Sequence, residues 1–268
     1  MIVLMQAAPN KLTDDARYRA ILEELIADWD RRQWDGRRVE LDNMEQFLLV
    51  TGFAAHGYEQ ARAFSAALDN VPEIVLMPLV RAVYEGGITA QWLALVPDGW
   101  KAIAKEHARQ RNLLANEYVA MRTPEHEAVA DRWTKSVQHD PARLASPHET
   151  QGRSFKKRCA DLLPRDLYLH FRHYSSTAHP TVAVPEYWIH SPSTPGGPIQ
   201  IEKPELGRDD DVLHTMVVCL LWLAGAQTVL TGDSEWNDYL QGVARQICLP
   251  LNLELSPAYH DRMKGPSH

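Results

Sequence analysis

Cysteine is nearly absent: the chain of 268 residues has three, Cys159, Cys219 and Cys248, far apart and without a CxxC pair. An odd number of scattered thiols argues against a disulfide framework or a structural zinc, and fits reduced thiols in a cytoplasmic protein. Positive charge is in deficit, with 28 Lys and Arg against 35 Asp and Glu and a net charge of −7. No global field therefore draws the protein onto nucleic acid or anionic lipid, and any basic surface has to be built locally. Long apolar runs are missing as well. The richest segment, Val212–Leu230, contains His214 and Gln227, and its unbroken run of about ten residues falls short of the roughly 18–20 that a membrane span needs. It reads as a buried core helix, so no membrane partner is expected. The start, Met1-Ile2-Val3-Leu4-Met5, lacks the basic leader of a secretory signal.

Several chemistries lack their motifs. There is no GxxxxGK[ST] loop and no GxGxxG after a strand, so those modes of nucleotide binding have no support. GxSxG and HExxH do not occur, and no Glu is followed by His three residues later, which removes the helical di-iron pattern. His170 and His173 are three apart on one expected helix, but no third ligand has suitable spacing. Neither a resident metal nor a cofactor is implied.

Strand signals are also few, hardly occurring outside Thr181–Ile189, whereas helical spacing recurs. Hydrophobic residues make up 45% and eight Trp are present, enough for a sizeable core rather than disorder. Thr13 with Asp14 and Asp15 reads as the opening of a helix to about Arg32, with Ala20, Leu22, Leu25, Ile26 and Trp29 on its buried face. A short apolar stretch, Met44–Gly52, precedes a helix from Gly57 to about Leu68. Glu73–Leu95 follows, interrupted by Pro78 and by Gly86-Gly87. Further helices are expected over Lys101–Met121, from Thr123-Pro124 to about Val137, over Ser154–Leu163 and over Arg165–Ala178. His139–Gly152 reads as a loop. Pro180–Pro204 holds six prolines and the turn Pro195-Gly196-Gly197-Pro198, a long irregular connection. Asp209-Asp210-Asp211 and Asp233 cap two more helices, and the tail after Pro257 is expected to fray. The fold class is all-α: a helical-bundle core over 55–250, an N-terminal helical extension over 1–54, one long Pro-rich loop, and a tail over 251–268.

Chemistry concentrates on Tyr168–Pro180. At ~100° per residue Arg172 and His179 differ by about 700°, nearly two full turns, so they share a face with an axial separation of ~10 Å. Tyr168, Ser175 and Ser176 join that face at i−4, i+3 and i+4 from Arg172. Pro180 disfavours helical geometry at His179, which places that imidazole at a helix C-terminus, where exposed carbonyls favour its protonated form. A histidine that moves a proton at a ribose hydroxyl, beside a guanidinium that grips phosphate oxygens, is a kit for phosphodiester chemistry.

Arg172-x6-His179, with the polar His173 directly after the arginine, resembles the Arg-x(4–6)-His motif of the HEPN superfamily. Those all-α domains include metal-independent ribonucleases and nucleotide-binding accessory proteins. The resemblance implies a homodimer in which two protomers bring their Arg/His helices together as one RNA-cleaving site. Arg81-Ala82-Val83-Tyr84-Glu85 upstream, with Phe171-Arg172-His173-Tyr174-Ser175…His179-Pro180 downstream, is similar to a bacterial branch of such proteins. The likeness covers roughly residues 55–245. On this reading Arg172 holds phosphate, His179 is the general base or acid, His173 or Ser175 assists, and Tyr168, Ser176, Arg81 and Glu85 bind or support.

Other readings stay open. Arg132/His139, Arg143/His148, Arg165/His170, Arg208/His214 and Arg262/His268 satisfy the same spacing. Arg172 can pair with an acid of a neighbouring helix, and His179 can cap backbone carbonyls. Arg81 and Glu85 at i, i+4 can be an intrahelical ion pair, or Glu85 can orient Arg172. Gly86-Gly87 permits a kink or a close helix approach. His126, between two glutamates, reads as solvated surface, and Tyr187-Trp188 as either a lid or a dimer contact. Lys156-Lys157-Arg158 with Arg153 and Arg165 supplies local positive charge. A non-catalytic module that binds a nucleotide or small ligand, or dimerises, is the second hypothesis. An enzyme of unrelated chemistry on a helical bundle is the third.

Overall fold

The computed structural model describes residues 11–33, 44–135, 144–179, 183–190, 200–201, 204 and 210–264, and its architecture is an all-α helical bundle. In chain order the helices are α1 (Lys11–Gln33), α2 (Met44–Ala67), α3 (Glu73–Leu95), α4 (Gly99–Ala120), α5 (Pro124–Lys135), α6 (Glu149–Arg153) and α7 (Phe155–Ala160). After strand β1 (Leu162–Leu163) come α8 (Leu167–Ala178), α9 (Ala183–Glu186), and strands β2 (Ile189–His190) and β3 (Gln200–Ile201). The chain then forms α10 (Asp210–Thr231), α11 (Ser234–Gln246), β4 (Glu254–Leu255) and α12 (Pro257–Met263). It divides into two compact units, Met1–Leu95 with Cys159–His268, and Val96–Arg158.

In the first unit α10 is the central element, packed on α1, α2, α3 and α11. Its sequence is apolar all round, which is stable only when every side is covered. Its length and composition would let it cross a membrane, but 83% of its most apolar stretch is buried in the structure. Leu220, Leu221 and Leu223 are wholly enclosed, each worth about 1.5–3 kcal/mol of burial. Glycine sets how closely α3 approaches α10. A Cβ on Gly87 would stand 3.3 Å from the Cys219 carbonyl oxygen, so of the two outcomes offered by Gly86-Gly87, close approach is the one found. α3 runs unbroken through both glycines and through Pro78. Similarly, α2 is one helix across Gly52, residues 54–55 and Gly57, where the sequence suggested an interruption. Gly57 admits the end of Leu223, a tertiary reason invisible to local propensity.

α1 is not peripheral in its packing. It starts at Lys11, before the expected cap at Thr13, and buries Ile21, Leu22, Leu25 and Trp29. Trp29 stacks on Tyr58 at 4.6 Å, and Asp28 accepts from the Trp236 indole at 2.9 Å.

The C-terminal segment is docked rather than frayed. Gln91, fully buried in α3, donates to the Trp222 carbonyl at 2.7 Å and to Asn252 Oδ1 at 3.1 Å. Its own carbonyl accepts from the Leu253 N–H at 2.9 Å. β4 then pairs antiparallel with β1, Leu162 opposite Leu255. Ser256 caps α12 and donates to the Ala160 carbonyl at 2.7 Å. Buried Asp161 accepts from the Trp92 indole at 3.1 Å and from Arg262 at 2.5 Å.

In the second unit α4 packs on α5 and α6. The expected loop over 139–152 contains α6, seated against α4 because Gly152 has no side chain. A Cβ there would lie 2.4 Å from the Ala102 carbonyl oxygen. Thr123 opens α5 as expected, and His126 is half-buried against Tyr118 and hydrogen-bonded to Thr123 at 2.7 Å rather than fully solvated. Bonds from Arg109 and Gln110 hold the Glu106 carboxyl below the ordinary carboxylate range. Much of the Pro180–Pro204 connection lies outside the described residues, as does Asp209. The described part contains α9, which lies against α8, and the β2–β3 pair. There Tyr187 is exposed and Trp188 half-buried.

Gln91→Leu leaves the Leu253 N–H without its acceptor and removes the side-chain donor to Asn252 and to the Trp222 carbonyl, and is expected to lower stability by about 1–3 kcal/mol. Urea unfolding measures this, and a variant as stable as the parent contradicts the docking role. Because the folded pKa of Glu106 is depressed, its contribution is full above the ordinary carboxylate pKa and is lost as pH falls through the lowered value. Glu106→Gln is therefore expected to flatten the acid limb of a Tm-against-pH curve; an unchanged limb removes Glu106 from the account.

Candidate functional site

One face of α8 is fixed to the core. Leu167 and Tyr174 are its buried residues, with Phe171 and Ala178 beside them half-buried. The Tyr84 hydroxyl, from α3, donates to the Leu167 carbonyl at 2.9 Å. The Tyr174 and Thr215 hydroxyls share a hydrogen bond of 2.8 Å, tying α8 to α10. The Tyr84 and Tyr174 rings meet edge to face at 5.3 Å. Burial raises the Tyr84 phenol well above its usual pKa, so it keeps its proton and remains a donor.

A second clamp comes from Arg81. Its Nε donates to Ser175 Oγ at 2.9 Å, Nη2 lies 3.5 Å from Glu85 Oε2, and the guanidinium sits over the Phe171 ring at 4.9 Å. Arg81 and Glu85 thus form the intrahelical ion pair, and Arg81 additionally reaches across to α8. A cation over an aromatic face adds about 0.5–1 kcal/mol where water is near.

Of the sequence-predicted strip, the exposed part turns away from the core and Ser175 does not. Arg172, His173, Ser176 and His179 are exposed, while Tyr168 and Ser175 are half-buried. His179 is the C-cap of α8 with φ −108° and ψ 153°, the extended geometry expected before a proline. Among the described residues neither Arg172 nor His179 makes a hydrogen bond or ion pair. The bland pairing of Arg172 with a neighbouring acid therefore does not occur among them. Ser176 donates to its own helix at the His173 carbonyl, 2.7 Å away, and the His173 ring meets the Tyr174 ring at 5.7 Å. Tyr168 packs near Phe171 at 5.9 Å. The arrangement joins Arg81, Glu85 and Ser175 directly, and leaves Arg172 and His179 presented to solvent on one helical side.

The local basic run is weaker than its sequence. Arg158 is buried and donates to the Gln151 and Gly152 carbonyls at 2.9 and 3.1 Å, so it holds a turn together instead of facing a ligand. Arg153 lies 3.8 Å from Glu106, while Lys156, Lys157 and Arg165 are exposed.

Sequence reasoning missed a cleft under the inner face of α8. Tyr84, Leu167, Tyr174, Val218 and Trp222 form most of its wall. Asp166 and His170 line it too, 3.8 Å apart. Asp166-x3-His170, two polar residues one turn apart beside Leu167 and Tyr174, was the available signal. Among the described residues no group of three His, Cys, Asp or Glu is placed to hold a metal.

If the strip is kept for something other than folding, Arg172→Ala and His179→Ala are expected to shift stability by no more than about 0.5 kcal/mol. Arg81→Ala, which breaks a charged hydrogen bond and a ring contact, is expected to cost about 1.5–3 kcal/mol. Chemical unfolding of the three variants decides; an Arg172→Ala loss as large as that of Arg81→Ala would give Arg172 a structural role. Comparison with known proteins finds no matching family model, no matching curated protein and no matching solved structure.

Proposed function

We propose that the protein is a HEPN-type endoribonuclease whose working residues lie on the outer face of α8. The observation that carries this reading is the state of Arg172 and His179. Both are exposed, Arg172 within α8 and His179 at its C-cap, and neither makes a hydrogen bond or ion pair among the described residues. Arg81, by contrast, is fully engaged nearby. A guanidinium left free in that way is available to a phosphate fork.

In the proposed reaction the Arg172 guanidinium holds the non-bridging oxygens of the scissile phosphate. The His179 imidazole takes the proton of the adjacent ribose 2′-hydroxyl, whose oxygen attacks phosphorus. The P–O5′ bond breaks, and a protonated imidazole returns a proton to the leaving 5′-oxygen, giving a 2′,3′-cyclic phosphate and a 5′-hydroxyl. In a homodimer the second imidazole comes from the same helix of the other protomer. Ser175, held by Arg81, and His173 assist from the flanks, and Tyr168 and Ser176 line the approach. Binding relies on local charge, because the net charge of −7 opposes long-range attraction of RNA.

The test is cleavage of a single-stranded RNA in EDTA by the parent and by the Arg172→Ala/His179→Ala double variant. The expected result is cyclic-phosphate product from the parent and a loss of at least about 100-fold in the variant. Equal activity, or no activity in either, contradicts the proposal. A parent that is inactive on RNA but dimeric by light scattering and shifted in Tm by nucleotides favours the non-catalytic module instead.

A further inference from the structure

The cleft under α8 is independent of the Arg172/His179 strip. Its wall is made by the Tyr84, Tyr174 and Trp222 rings with Val218 and Leu249. The open space is about 50 Å³. At roughly 10–15 Å³ for each enclosed water, that is room for a few waters or one small ring. A phosphate-bearing nucleotide is too large for it, and no Lys or Arg lines it.

Its polar groups are Asp166, His170, His214 and Thr215, with the Tyr84 and Tyr174 hydroxyls and the Trp222 indole; the Thr215 and Tyr174 hydroxyls are bonded to each other. The Asp166 carboxylate sits at the start of α8 without capping the helix, 3.8 Å from the His170 imidazole. Tyr84 already donates to Leu167, so its oxygen is left as an acceptor. The Trp222 indole N–H is buried without an acceptor among the described residues. An apolar wall penalises a charged ligand, which must shed its water on entry. A hydroxyl suits the remaining groups, since it donates to a carboxylate and accepts from an N–H.

We propose that this cleft is a binding site for a small neutral molecule with one ring and one hydroxyl, of the phenol class. The ring lies among Tyr84, Tyr174 and Trp222, where ring-to-ring contact is favourable, and the hydroxyl meets the Asp166 end.

Phenol itself is the probe, titrated into the full chain and followed by ligand-observed NMR, with benzoate as an anion of similar size. Saturable phenol binding with a Kd on the order of 1 mM or tighter, and benzoate at least about tenfold weaker, is the expected result. Leu249→Trp fills the cleft and is expected to weaken phenol at least about tenfold, with helical circular dichroism unchanged; Leu249→Phe replaces it if the tryptophan prevents folding. Absence of saturable phenol binding overturns the proposal, as does undiminished binding to a folded filled variant. Benzoate binding as tightly as phenol overturns the assignment to a neutral ligand. RNA cleavage is read separately, so its outcome leaves this test intact.

Discussion

Arg81 and Tyr84, one turn apart on α3, decide which side of α8 the solvent meets. The Tyr84 hydroxyl bonds the first carbonyl of α8, and Arg81 bonds Ser175 two turns further on. Two anchors at different heights fix both the position and the rotation of a helix. With the inner side committed to Tyr84, Arg81 and Thr215, the residues about half a turn away are exposed. Arg172, His173 and His179 lie on that outer side. The proposed chemistry therefore depends on α3, which itself depends on α10 through the close approach at Gly87.

α8 consequently has two surfaces of different character. Outside is a polar strip in which Arg172 and His179 make no hydrogen bond or ion pair among the described residues. Inside is an aromatic cleft lined also by the Asp166 carboxylate and the His170 and His214 imidazoles. A ligand in that cleft would touch Tyr174 and Tyr84, the same side chains that hold α8 in place. Occupancy of the inner surface and presentation of the outer one thus share their supports, although each is proposed on separate observations.

Much of this was legible from residue spacing, and the failures have physical causes. The helical class, the apolar centre at Val212–Leu230, the caps at Thr123 and Asp233, and the extended backbone at His179 follow from period and from local backbone chemistry. Breaks expected near Gly52–Gly57, Pro78 and Gly86-Gly87 do not occur, because packing on α10 outweighs local helix cost and, at Gly57 and Gly87, requires the missing side chain. The tail after Pro257 looked free because Asp161, which accepts from Arg262, is distant in sequence, as are Gln91 and Ala160, the partners of Leu253 and Ser256 just before it. The cleft was legible only in Asp166-x3-His170, because its wall is drawn from α3, α8 and α10 together. Of the strip, the extended backbone at His179 was legible from the following proline, whereas Ser175, read onto the same face, is drawn to Arg81 of α3 by a contact that only the tertiary fold supplies.

The central claim is that α8 is held as firmly as the core helices while its outer side stays open. Hydrogen–deuterium exchange resolved by segment tests it most directly. Amides of α8 are predicted to exchange in the slow class with those of α3 and α10, and Tyr84→Phe is predicted to quicken α8 while leaving α10 slow. Rapid exchange of α8 in the parent chain, with α3 and α10 still protected, would contradict the account.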